Sequence, residues 1–280
     1  MLSSRFVFGV LFWVFAVPSF VFVQRSSSTD AELIDRVGTY VERYYARAQT
    51  LVATETVTVQ PVSRRLEPEG PPRQVVNEMR IEWDALIGSP PRAVRELVSG
   101  RGRGLGPSGQ PDCLDERSFT LEPLAFILPS NRDKYRLSVG RLETIGGVRA
   151  RRIDYVPRTP ESPQVRWNGK CGWVDTFGRT RGGVWVNPAS GEVLRFDERL
   201  SGHVDLPGPG HPDAPRFVAE RADTTIDYKK FAFVDPDETI LLPSRVESVT
   251  FIRNSAVPRV RMIRTYTDYR RFLTGGRILP

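Results

Sequence analysis

The stretch from Val184 to Leu200, VWVNPASGEVLRFDERL, constrains this chain more than any other. It has the form of a β-hairpin. Pro188 presets φ for a type I turn, and Gly191 supplies the left-handed residue that returns the chain. On the return strand Leu194, Phe196 and Leu200 share one face and Arg195, Asp197 and Arg199 the other, because strand side chains alternate with a period of two. One apolar and one charged face predict an antiparallel sheet covered on a single side. The stretch holds no reactive group, so it speaks to fold and not to chemistry.

The same alternation recurs along the chain. Ala53 to Gln60 is a Thr/Val strand, and Val75 to Ile87 sets Met79, Ile81 and Trp83 against Glu78, Arg80, Glu82 and Asp84. Between them Arg64 to Arg73 is a Pro/Gly-rich loop. Further strands are predicted at Arg92 to Ser99, Tyr135 to Val139, Arg141 to Ile145 and Val148 to Val156, with a tight turn at Gly146-Gly147. Arg158 to Gly183 reads as loop. After a Pro/Gly loop at Leu206 to Pro215, strands resume at Thr224 to Phe233, Glu238 to Leu242, Arg245 to Arg253 and Arg259 to Phe272. Two elements differ in kind. Thr29 and Glu32 form a capping box ahead of a helix to Leu51, whose apolar stripe is Ile34, Val37, Val41, Tyr44, Ala48 and Leu51. Ser118 to Arg132 is too apolar to be exposed, and Pro123 and Pro129 limit it to a turn or two lying inside the sheet.

The predicted fold class is α+β, mainly β: a curled antiparallel meander sheet, a half-barrel, with an N-terminal helix and a short inner helical element. Twist accumulates strand by strand, so a sheet this long must curl. With 280 residues and 40% hydrophobic content the chain can bury a full core, and residues 29 to 275 are expected to form one domain.

Residues 1 to 25 give the address. Arg5 precedes an uncharged apolar run from Phe6 to Val23, which marks export. The run also reaches the lower limit for a membrane span, so both a cleaved signal peptide and a retained inner-membrane anchor fit. The periplasm, or another extracytoplasmic space, is the expected compartment. Cys113 and Cys171 lie in Gly-rich loop sequence, where an oxidising compartment favours one disulfide between them. The formal charge of +7 invites nucleic acid as a partner. Yet only four of the 40 basic residues are lysines, and the arginines alternate with Asp and Glu along the strands. That distribution is a solvated sheet face. The Gly100 to Gly106 run lacks the Lys-Ser/Thr of a phosphate loop and reads as a flexible surface loop.

The capped helix, the VATETVTV strand that follows it, the inner element at Leu124 to Leu128 and the VWVNPASGEVLRFDE hairpin together resemble the lipoprotein-carrier (LolA/LolB-like) superfamily. The resemblance covers roughly residues 29 to 272. It implies a curved sheet covered by helices, a concave face able to hold acyl chains, and no catalytic residues. The long Pro/Gly loops and the two distant cysteines depart from the family's pattern.

Catalytic chemistry has little to stand on. His203 and His211 occur in GHVD and GHPD, but a Pro/Gly loop does not preorganise metal ligands, and no nucleophile-base pair or HExxH is visible. The expectation is a non-enzymatic protein, without cofactor or metal, that binds a lipid or another acylated or hydrophobic ligand. Met79, Ile81, Trp83, Phe126, Leu194 and Phe196 are its candidate binding face. The alternatives are a protein-interaction or envelope-sensor module with a filled core and, third, a hydrolase. Membrane contact would come through the N-terminal segment if uncleaved, and the partner protein is unspecified.

Overall fold

A computed structural model of the chain describes residues 26–83, 91–100, 120–121, 123–168, 171–175, 178–206, 216–255 and 259–271. Helix α1 spans Ser26–Ala48. It starts one turn ahead of the predicted capping box, through three serines that contain no helix breaker, so Thr29 lies within it. It also stops short of Leu51. The Thr50 hydroxyl donates to the Arg47 carbonyl at 2.8 Å, and Leu51 opens the first strand. Leu33, Val37, Val41, Tyr44, Tyr45 and Ala48 form the buried face. Leu33 takes the central place given to Ile34, and Leu33, Val37 and Val41 each contribute roughly 1.5–3 kcal/mol when buried.

The strands are β1 (Leu51–Pro61), β2 (Arg73–Glu82), β3 (Arg92–Gly100), β4 (Thr120–Leu121), β5 (Tyr135–Ile145), β6 (Val148–Pro157), β7 (Gln164–Asn168), β8 (Cys171–Asp175), β9 (Thr180–Val186), β10 (Val193–Leu200), β11 (Val204–Leu206), β12 (Phe217–Val234), β13 (Asp237–Arg253) and β14 (Arg259–Arg271). Among the described residues twelve form one antiparallel sheet, in the order β4-β3-β2-β1-β14-β13-β12-β10-β9-β6-β5, with β11 added on β12 and β7–β8 a separate hairpin. Chain order therefore runs round the sheet as a meander from β5 to β14, and continues through the β1–β14 pair to β4. The two edges, β4 and β5, are neighbours in sequence. Between them the chain turns inward as a 3-10 helix, Pro123–Ile127, with Leu124 to Leu128 all buried. The sheet is curled and open, as predicted, and the inner element packs on its inner side against Tyr155 and Phe196.

Three strand assignments change. Arg158 to Gly183, read as loop, contains β7, β8 and the start of β9. Its glycines mislead because they serve close packing: a Cβ on Gly182 would lie 2.0 Å from the Asp197 carbonyl oxygen, and one on Gly183 would lie 2.8 Å from that of Ile153. The predicted pairs at Tyr135–Ile145 and Glu238–Arg253 are single strands, β5 and β13. A register shift between Val139 and Leu142 spans the Gly140 break, and Pro243 sits within β13 beside the shift between Asp227 and Tyr228 of β12.

The opening hairpin forms as drawn, with one correction. Asn187 Oδ1 accepts from the Ala189 amide at 2.9 Å, and Gly191 takes a φ of 76°. A register shift between Val193 and Arg195 then rotates the return strand. Val193 and Phe196 are buried, and Leu194 is turned out of the core. Helix α1 lies on this turn, with Arg36 donating to the Pro188 carbonyl.

Arginines on the other face pair along and across strands: Arg152 with Asp154 at 2.6 Å and Asp197 at 3.0 Å, and Arg261 with Glu247 at 2.8 Å. Such pairs contribute about 0–1 kcal/mol each. Among the described residues no helix is long and apolar enough to cross a membrane.

Candidate functional site

Alternation brings every second residue of each strand to the concave face, and α1 and the inner helix cover that face unevenly. Over β5, β6, β9 and β10 the space is occupied by aromatic rings. Phe126 of the inner helix stacks on Tyr155 with centroids 4.1 Å apart, and Phe196 lies 6.2 Å from Tyr155 and 6.4 Å from Phe126. Tyr135 closes the group edge-on to both Phe126 and Tyr155. All four side chains are buried.

Over β1–β3 and β12–β14 a cavity of about 340 Å³ opens beneath the C-terminal turn of α1, with Tyr44, Tyr228, Tyr266 and Tyr269 among the residues that line it. That volume is at the lower end of the ~300–1,000 Å³ range of small-molecule sites. Its apolar walls include Met79, Ile81, Ile226, Leu242, Val246 and Met262. Thr224, Ser248 and Thr250 make a polar strip, and the only charged residues lining it, among those described, are Arg95, Arg264 and Glu198. Glu198 stands at the border of the two halves, where its carboxylate accepts from the Tyr155 hydroxyl at 2.9 Å.

Behind the arginines lies a buried ionic cluster. Glu55, fully buried on β1, accepts from Arg95 Nε at 2.6 Å, from Asn77 Nδ2 at 3.1 Å and from the Tyr266 hydroxyl at 2.9 Å. Arg264 Nε is 3.6 Å from the same carboxylate, too far for a hydrogen bond, and has no other acceptor among the described residues. Burial pushes the Glu55 carboxyl up, but the Arg95 guanidinium, then Arg264 and the Asn77 amide, outweigh it and hold the carboxyl below its usual value. Arg264 is pulled below its ordinary value, first by burial and then by Arg95 beside it. Tyr266 is pushed up by burial and by Glu55, so its hydroxyl stays a donor.

The candidate face predicted from sequence divides between these halves. Met79 and Ile81 line the cavity. Phe126 and Phe196 belong to the aromatic packing, and Leu194 is turned away by the hairpin's register shift. Trp83 falls just past the end of β2 and packs on Tyr45, ring centroids 5.7 Å apart. Of the proposed disulfide, Cys113 and the Cys171 side chain lie outside the described residues, as does His211; His203 is exposed. Trp185 is packed, with the Arg152 guanidinium 4.3 Å over its ring.

Glu55, Asn77, Arg95, Arg264 and Tyr266 were not anticipated. The signal was available in the alternation: Glu55 shares the parity of buried Ala53 and Val57, and Asn77 that of Val75 and Met79. A charged or amide residue at an inward position of an otherwise apolar stripe is the mark of such a cluster.

No family model matches the chain, and no curated protein matches it. Solved structures similar to it include a DUF1329 family protein from Desulfovibrio piger, at 8% identity and a TM-score of 0.47, covering 88% of this chain and 94% of that one. A domain assigned to outer membrane lipoprotein sorting, from Vibrio parahaemolyticus, is similar at 10% identity and a TM-score of 0.41, covering 86% and 94%. A LolA superfamily protein from Nitrosomonas europaea is similar at 11% identity and a TM-score of 0.37, covering 90% and 94%. Two of the three carry names from the group that the sequence resembles.

Proposed function

We propose that this chain is a non-enzymatic, extracytoplasmic binding protein that shelters a hydrophobic ligand in the open half of its concave face. The observation that carries the reading is the cavity of about 340 Å³ under α1, walled by Met79, Ile81, Leu242 and Val246. Burying a chain there removes apolar surface from water at roughly 25 cal/mol per Å², with no covalent step. The apolar run at residues 6 to 23 supports export, and would hold the protein at a membrane if it is retained.

A second reading is favoured by the aromatic half. Side chains of the chain itself fill that part of the concavity, as in an interaction or sensor module that works through its outer surface. Native mass spectrometry of the full chain, purified from membranes under mild conditions and followed by organic extraction, separates the two. A binding protein carries a hydrophobic mass that is lost in a folded Met262→Glu variant. A protein that is empty as purified, and stays empty when lipid is added, overturns the binding reading and leaves the interaction module.

A further inference from the structure

The cavity changes character from one end to the other. Strand pairing divides it into layers, because residues opposite one another on neighbouring strands stand side by side on one face. At one end Thr250 pairs with Val260, and in the next layer Ser248 lies between Thr224 and Met262. All of these are half-buried. One layer further in, Val246 lies between Ile226 and Arg264, and both Val246 and Ile226 are buried. Beyond them the walls include Leu242, Met79, Ile81 and Leu51, all buried, with Tyr44 and Ala48 of α1 closing over that end. Chemistry changes in the same direction as exposure. The accessible end carries the hydroxyls of Thr224, Ser248 and Thr250, the first two 3.3 Å apart. Arg95 and Arg264 stand on the β3 and β14 walls, where Arg95 donates to Glu55 at 2.6 Å and Arg264 lies 3.6 Å from it. On β12 and β13 this leaves Ile226, Val246 and Leu242 as an aliphatic path leading inward from the hydroxyls.

We propose that the cavity is a one-ended slot that takes, tail first, a single-chain amphiphile with an uncharged, hydroxyl-bearing head. The end of the tail lies against Leu242, Met79 and Ile81 under α1, and the head stays at Thr224, Ser248 and Thr250, where it also meets water. A hydroxyl both donates and accepts, as these three side chains do. Entry in the opposite sense would carry the polar head into the aliphatic end, and a volume of about 340 Å³ suits one chain better than several. This inference rests on the cavity being a ligand site, and the experiment separates the two claims. The full chain is titrated calorimetrically with decanol, decyl maltoside and 1,10-decanediol, each below its aggregation concentration.

Decyl maltoside binds within about threefold of decanol, because its sugar remains outside the slot. The diol binds about ten- to a hundredfold more weakly, because its second hydroxyl is carried into the closed end, the range expected for an unpartnered buried hydroxyl. A diazirine on the last carbon of decanol then locates the tail, with adducts expected on Leu242, Met79 or Ile81. If the diol matches decanol, the slot has no closed end; if the maltoside is excluded, the head is enclosed. Either result overturns the orientation and leaves the hydrophobic site standing, as do tail adducts on Ser248, Thr250 or Val260. If none of the three compounds binds, both the orientation and the site are overturned. Every measurement uses the unsubstituted chain, so none depends on a variant that folds.

Discussion

The two halves of the concave face are built from one continuous sheet, yet one is packed with rings and the other holds a cavity. The difference lies in what covers the strands. Over β6 and β10 the inner helix delivers Phe126 on to Tyr155 and Phe196, and the three rings close the space. Over β13 and β14 the cavity is lined by aliphatic Leu242, Val246 and Met262 together with Arg264, Tyr266 and Tyr269, and α1 places Tyr44 and Ala48 there from its last turn. Shape alone therefore does not make a binding face on a curled sheet. A site exists only where the chain withholds the side chains that would fill it.

The ionic cluster at the cavity wall gives the sharpest way to disturb the open half alone. Glu55→Leu removes the carboxylate that Arg95 donates to and that Arg264 faces, and is expected to lower stability by about 3–5 kcal/mol, read by urea denaturation. If the loss is under about 1 kcal/mol, the guanidinium groups are solvated and the cluster is not buried as described. Truncation should then separate the halves. Phe196→Ala removes a ring from close packing and should destabilise by about 3–5 kcal/mol, whereas Met79→Ala widens a space that already exists and should stay near the lower end of its class, about 2 kcal/mol. Equal losses per removed atom would erase the distinction.

Adding volume reverses the comparison. Ile153→Phe, in the filled half, should cost about 1–3 kcal/mol through overpacking, while Val246→Phe grows into the cavity, changes stability by less than about 1 kcal/mol and abolishes ligand uptake. Acid provides the smallest and most graded test. The Glu55 carboxyl is held below its unfolded value of 4.5, so its contribution is complete above that pH. It is lost as pH falls below 4.5 through the lower folded value. A denaturation series across this acid range should show that loss in the unsubstituted chain, and a shallower acid slope in Glu55→Leu.

Much of this arrangement was legible from alternation and turn chemistry. The hairpin around Asn187 to Gly191, the charged outer face and the proline-bounded inner element follow from local rules, because each is set by neighbours in sequence. What was missed depends on packing between distant strands. The register shift that turns Leu194 outward is decided by the pairing of β9 with β10, and Gly182 and Gly183 look like loop residues until the backbones of Asp197 and Ile153 are brought against them. Glu55 and Tyr266 are 211 positions apart and meet only because β1 pairs with β14. Their inward parity was visible, but not that they converge. Likewise no local pattern distinguishes Met79, beside a cavity, from Phe196, inside a stack.

The most direct test of an open and a filled half is photo-cross-linking of the full chain with a decanoic acid analogue bearing a diazirine on its tail, with adducts mapped by mass spectrometry. Adducts on Met79, Ile81, Leu242, Val246 or Met262, competed away by unlabelled decanoic acid, are the predicted result. Adducts on Phe126, Tyr155 or Phe196, or labelling spread over the outer face without competition, would contradict the account.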